Sequence, residues 1–130
     1  MPHRRIPGYS PFEAVMGYSR AVVAGNHVYV AGTAPIPSEG DPPEGAYAQT
    51  HLCLEIILGA LERAGASARD VVRTCVYLVD PTAFDDMARA HGEVFADIRP
   101  VNTTVIIAGL VDPRWLLEID AVAVLETEAR

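Results

Sequence analysis

Apolar positions along the chain follow two rhythms, one of strands and one of helices. Residues 19–24 (Ser-Arg-Ala-Val-Val-Ala) and 27–33 (His-Val-Tyr-Val-Ala-Gly-Thr) flank Gly25-Asn26. Two β-prone runs joined by such a two-residue turn predict a hairpin. Residues 34–46 contain Pro35, Pro37, Gly40, Pro42, Pro43 and Gly45, the composition of an irregular loop. From Tyr47 to Ala64 the positions Leu54, Ile57, Leu58 and Leu61 recur at helical spacing, and Gly65 stands where such a helix would end. Residues 71–79 predict a third strand. Thr82 with Asp85, behind Pro81, has the form of a capping box and predicts a second helix. Its stripe holds Phe84, Met87, His91, Val94 and Phe95, and it must stop before Pro100. Residues 103–108 and 116–125 supply two further strands.

The resulting order, β-β-α-β-α-β-β, is that of an α+β domain with two helices on one face of a mixed β-sheet. Several strands are apolar on both faces. In 116–125, Leu116, Val122 and Val124 point one way, and Leu117, Ile119, Ala121, Ala123 and Leu125 the other. Two helices cover one face only, so the opposite face calls for a partner, and self-association supplies the simplest one.

Composition narrows the function. The 130 residues suit a single domain spanning 1–130, and 50% are hydrophobic. The formal charge is −7, which opposes the phosphate neutralisation on which nucleic-acid binding rests. All ten basic residues are arginines. Without lysine there is no Schiff base, no covalently held pyridoxal phosphate and no P-loop lysine. Cys53 and Cys75 form no CxxC pair and read as buried free thiols. No apolar run approaches the ~18 residues of a membrane span. The basic N-terminus, Met1 to Arg5, runs into proline and glycine rather than an apolar segment, so a cytoplasmic protein is expected. His3, His27, His51 and His91 show no metal-ligand spacing, and no metal is expected.

Candidate chemistry is sparse. Glu118 and Asp120 lie two apart on the last strand, on one face and about 7 Å from each other. A carboxylate on a largely buried strand needs compensation. Either an arginine or backbone amides satisfy the pair, or one carboxylate borders a pocket and positions a water. Tyr18 and Arg20 are placed on one strand face, where Arg20 serves either as an ion-pair partner or as a ligand contact. His91, on the apolar stripe of the second helix, reads as a hydrogen-bonded core or interface residue before a site residue.

Three stretches carry a resemblance. Gly17-Tyr18-Ser19-Arg20-Ala21-Val22 followed by Gly25-Asn26-His27-Val28-Tyr29-Val30-Ala31-Gly32-Thr33 resembles the opening hairpin of the Rid (YjgF-like, reactive intermediate deaminase) family. Ala64-Gly65-Ala66-Ser67 through Asp70-Val71-Val72 resembles its helix-to-strand junction. Pro100-Val101-Asn102-Thr103-Thr104-Val105 and Leu117-Glu118-Ile119-Asp120-Ala121-Val122-Ala123 resemble its C-terminal strands. The resemblance implies a chorismate-mutase-like (YjgF-like) fold and a homotrimer with small-molecule clefts between subunits. It further implies hydrolysis of enamines and imines without metal or cofactor. In such proteins an arginine grips the substrate carboxylate, a tyrosine and a glycine line the pocket, and an acid orients the attacking water.

Carried over by position, the resemblance places the tyrosine at Tyr18, the pocket glycine at Gly32 and the water-orienting acid at Asp120. The arginine position is Asn102, a frequent cysteine becomes Thr104, an asparagine of the second helix becomes Ala88, and the usual glutamine is Arg20. Asparagine cannot form the guanidinium–carboxylate fork. Removing about 3 kcal/mol from a transition state slows a reaction more than a hundredfold. The chain therefore resembles an arginine-lacking subgroup and is not expected to be an efficient 2-iminopropanoate deaminase, unless Arg20 presents its guanidinium from another wall. Two functions follow: a hydrolase or deaminase of a small imine, enamine or related compound, or a non-catalytic metabolite-binding or regulatory trimer. A ribonuclease is the least consistent with the charge.

Overall fold

A computed structural model describes residues 2–126. Its elements are β1 (Arg4–Ile6), α1 (Phe12–Met16), β2 (Ala21–Ala24), β3 (His27–Thr33), α2 (Ala46–Arg63), β4 (Val71–Leu78), α3 (Phe84–Phe95), β5 (Val101–Ile106) and β6 (Leu117–Val124). The hairpin, both long helices, β4 and β6 stand where the periodicity places them to within two residues, while β5 runs from Val101 to Ile106 and not over 103–108. β1 and α1 are additions, because three residues of strand and five of helix are too short to leave a periodic trace. Tyr18 and Arg20 precede β2 instead of lying on it.

The start of α3 also differs. Asp80, not Thr82, caps this corner: its carboxylate accepts the Thr82 N–H at 2.8 Å, and a single 3-10 turn, Pro81–Ala83, leads into the helix. Proline at the first turn lacks the N–H that would otherwise go unpaired, which shifts the cap one residue ahead of it. The capping box forms elsewhere, between Ser67 and Asp70.

The six strands form one sheet in the order β1-β2-β3-β6-β4-β5, antiparallel except for the β4–β5 pair. α2 and α3 lie on one face. Against them pack Val28 and Val30 of β3, Val76 and Leu78 of β4, and Leu117, Ile119, Ala121 and Ala123 of β6. Leu54, Ile57 and Leu61 of α2 are at most 1% exposed, each worth about 1.5–3 kcal/mol of apolar transfer.

The opposite face has no cover among the described residues. The strand registers put Val22, Tyr29, Val101, Val105, Val122 and Val124 on it, beside Glu118 and Asp120. Tyr29 is 48% and Val101 68% exposed. The free edge on that side is β5, a strand with an unpaired row of backbone groups.

Candidate functional site

The described residues that resemble a pocket assemble around an irregularity in β3. The β3–β6 ladder loses its regular register between Val30 and Thr33, so Ala31 and Gly32 span the position opposite Asp120. A bulge turns the strand and exposes its backbone. Arg20 takes advantage of this, donating through Nη2 to the Gly32 carbonyl at 2.7 Å. Gly32 has no side chain for a specific reason: a Cβ built there would lie 2.5 Å from Glu118 Oε1.

A cavity of about 400 Å³ opens here, its wall including Tyr18, Arg20, Gly32, Trp115 and Glu118. α1 closes one side, with Phe12 edge-on to Trp115 at 6.4 Å. Tyr18 is oriented by its hydroxyl, which donates to Ser10 Oγ at 3.2 Å. The Arg20 guanidinium carbon stands 5.9 Å from the Tyr18 ring centroid. Arg20 is 5% exposed, makes no ion pair among the described residues, and leaves Nε without a partner. A second cavity of about 430 Å³, toward α2, shares Arg20 and Ser10 as its wall.

Burial pushes the Glu118 carboxyl above the usual carboxylate range; Arg20 opposes this and Asp120 adds to it. Glu118 makes no side-chain hydrogen bond among the described residues, and its carboxylate lines the cavity. Asp120 is placed differently. It lies opposite Cys75, and its Oδ2 accepts the Tyr77 hydroxyl at 2.7 Å. That bond is the main reason the Tyr77 hydroxyl is pushed up to about 12. The structure therefore brings Tyr18, Arg20 and Gly32 together with Glu118, and sets Asp120 outside their cavity. Alternation alone could not choose between two carboxylates on one face. The glycine inside an apolar strand was the available signal, since such a glycine marks a bulge or a close approach.

Asn102 and Thr104 are elsewhere in the chain. They lie on β5, three strand spacings from β3, or about 14 Å. Both face α3 and line a cavity of about 180 Å³ with Ala88 and His91. Asn102 Nδ2 donates to Thr74 Oγ1 at 3.0 Å, and Thr104 donates to Asn102 Oδ1 at 2.8 Å. His91 Nε2 is 2.9 Å from the same Thr74 oxygen, and burial lowers the pKa of the ring. The candidate residues thus form two sets on one chain.

Cys53 and Cys75 are free and buried. Burial pushes the Cys53 thiol up, away from reactivity. Among the described residues no group of histidine, cysteine and acidic side chains is placed to hold a metal ion, and no helix is long and apolar enough to cross a membrane.

A six-stranded mixed sheet with two helices on one face and a bulged strand beside a polar cavity is the architecture of YjgF-type α+β proteins. Comparison with known proteins agrees. The family model described as Endoribonuclease L-PSP matches residues 9–125. A Streptomyces coelicolor protein of uncharacterised function, SCO2049, is 36% identical over 92% of this chain and 90% of its own length. The 3-aminoacrylate deaminase RutC of Acinetobacter baylyi is 36% identical over 82% of this chain and 85% of its own. The crystal structure of Rv2704 from Mycobacterium tuberculosis, a YjgF/YER057c/UK114 family member, superimposes with a TM-score of 0.86. It is 37% identical and covers 95% of this chain and 100% of its own. The chain belongs to the YjgF/Rid family, the family of the Endoribonuclease L-PSP model.

Proposed function

We propose that the protein is a cytoplasmic homotrimer that hydrolyses a small imine, enamine or related carbonyl–nitrogen compound in clefts between its subunits, without metal or cofactor. Similarity to a 3-aminoacrylate deaminase supports the reaction class. The observation that carries the reading is the cavity that Glu118, half-buried and without a side-chain hydrogen bond among the described residues, lines together with Gly32 and Tyr18. Glu118 replaces Asp120 as the water-orienting acid of this proposal, because Asp120 is engaged by Tyr77.

In the proposed reaction the Glu118 carboxylate accepts a hydrogen bond from water and takes its proton as the oxygen attacks the C=N carbon. The carbon–nitrogen π electrons move to nitrogen, which takes that proton back from Glu118; an enamine enters the same step after its β-carbon gains a proton and its nitrogen loses one, giving the imine. The resulting carbinolamine passes its hydroxyl proton, by way of Glu118, to the amine; the C–N bond breaks as the C=O bond forms, and ammonia leaves. The Tyr18 hydroxyl, whose hydrogen goes to Ser10, accepts a hydrogen bond from the substrate. Asn102 and Thr104 contact it from a neighbouring subunit, which reconciles their separation from Glu118 within one chain. The uncovered apolar sheet face and the free β5 edge support such an assembly.

Arg20 does not simply replace the missing arginine. Its Nη2 holds it to the Gly32 carbonyl in the cavity of Glu118, whereas the position that lacks the arginine, Asn102, lines a different one. Efficient turnover of 2-iminopropanoate is therefore not expected. The same observation favours the second reading, a non-catalytic metabolite-binding trimer. The test is ammonia release from 3-aminoacrylate, 2-iminopropanoate and a panel of neutral imines, comparing wild type, Glu118→Gln and Asp120→Asn. Loss of turnover in Glu118→Gln alone supports the assignment. Loss in Asp120→Asn alone overturns it, and no turnover by the wild type leaves the binding reading.

A further inference from the structure

The hydrogen bonds around Asn102 have a direction, and it starts from a main-chain group. The Thr74 carbonyl oxygen lies 3.4 Å from Asn102 Nδ2. A carbonyl can only accept, so the amide must turn its NH2 toward Thr74 and its oxygen toward Thr104. Thr104 then spends its hydroxyl hydrogen on Asn102 Oδ1 at 2.8 Å. On the other side, fully buried Thr74 accepts from Asn102 through Oγ1, and the partner within reach of its own hydrogen is His91 Nε2, at 2.9 Å. Of the two neutral tautomers of His91, the one with its proton on Nδ1 leaves a lone pair on Nε2 for that hydrogen, whereas the other would leave the buried Thr74 hydrogen without an acceptor. Among the residues lining the two cavities beside His91, the one other charged side chain is Arg99, a cation that gives no support to a second proton.

We propose that Thr74 and His91 are positioning residues that fix the polarity of Asn102, so that this wall offers a hydrogen-bond acceptor, Thr104 Oγ1, to a ligand group that bears hydrogen. The inference rests on the reading of Asn102 and Thr104 as ligand contacts. Both amide hydrogens of Asn102 point inward, and Thr104 has no hydrogen left to give. The oxygen lone pairs of Thr104 remain for the cavity. A carboxylate brought here meets lone pairs rather than donors. An amide, amidine, imine or ammonium N–H finds an acceptor. An arginine at position 102 would present the opposite polarity, so the substitution changes the class of group recognised and does more than weaken one contact.

The test uses the full-length, isotope-labelled protein in solution at pH 7, with propionamide and propionate as a matched pair of probes. Nuclear magnetic resonance is expected to show His91 as the neutral Nδ1–H tautomer. Propionamide should shift the Asn102 and Thr104 side-chain signals with an affinity at least about tenfold above that of propionate, equivalent to about 1.4 kcal/mol. Thr74→Val, equal in shape, should abolish the tautomer preference and level the two affinities. Thr74→Ser should restore both. A His91 proton on Nε2, a preference for propionate, no perturbation by either probe, or an unchanged ratio in Thr74→Val would overturn the proposal. These signals are read without turnover, so failure of the deaminase reading leaves the outcome distinct.

Discussion

Replacing Gly32 by alanine separates positioning from stability. The backbone at this bulge is not in the left-handed region, so alanine is conformationally admissible. The cost is one contact: the new methyl would lie 2.5 Å from Glu118 Oε1, about 1 Å inside ordinary van der Waals distance. The obstructing atom is the end of a half-buried, unpaired side chain, which can swing aside at a cost below about 1 kcal/mol. The carboxylate must then leave its place facing Tyr18. Misplacing a catalytic group by 1 Å costs on the order of a hundredfold in rate. Chemical denaturation should therefore show stability within about 1 kcal/mol of wild type. Ammonia release from whichever imine or enamine the wild type turns over should fall about a hundredfold. Glu118→Asp, one methylene shorter, should recover part of the rate when combined with Gly32→Ala. Unimpaired turnover by Gly32→Ala would refute the placement of Glu118 at the reacting centre. A loss of several kcal/mol would refute the claim that the contact yields easily.

Three further outcomes follow from other parts of the molecule. Ile57→Ala, at a fully buried site of α2, should lower unfolding free energy by about 2–5 kcal/mol in urea titration, with little change if that helix were loosely docked. His91 has a pKa below its usual 6.5, so as pH falls through that value the unfolded chain takes up the proton first. Its contribution to stability should thus be complete above pH 6.5 and decline below it, and His91→Gln should flatten the difference measured between pH 7.5 and 5.5. Tyr29→Glu puts a charge on the uncovered sheet face, where the single chain leaves Tyr29 half-exposed. Sedimentation should show smaller species with the circular dichroism of the fold retained; an unaltered assembly would count against this face as the subunit contact.

The elements that bury a large apolar face were legible in the residues. The 3.6 spacing of Leu54, Ile57 and Leu61 and the two runs about Gly25-Asn26 correspond to α2 and the β2–β3 hairpin. β1 and α1 were not, since they hold to the rest through registers and single contacts such as Phe12 on Trp115. The candidate residues were legible one by one, but not how the fold groups them. Tyr18, Gly32 and Arg20 line one cavity, while the proposal of Glu118 in place of Asp120 depends on a bulge and on the Tyr77 hydroxyl. Tyr77 and Thr74 were invisible as partners because their role is set by cross-strand register, which no local pattern encodes.

The separation of Asn102 from Glu118 has a genetic consequence. If each cleft draws one set of side chains from either neighbour, a chain defective at Glu118 and a chain defective at Asn102 remain complementary. Co-assembled in one ring, they rebuild an intact cleft where the two sound halves meet, although each alone rebuilds none.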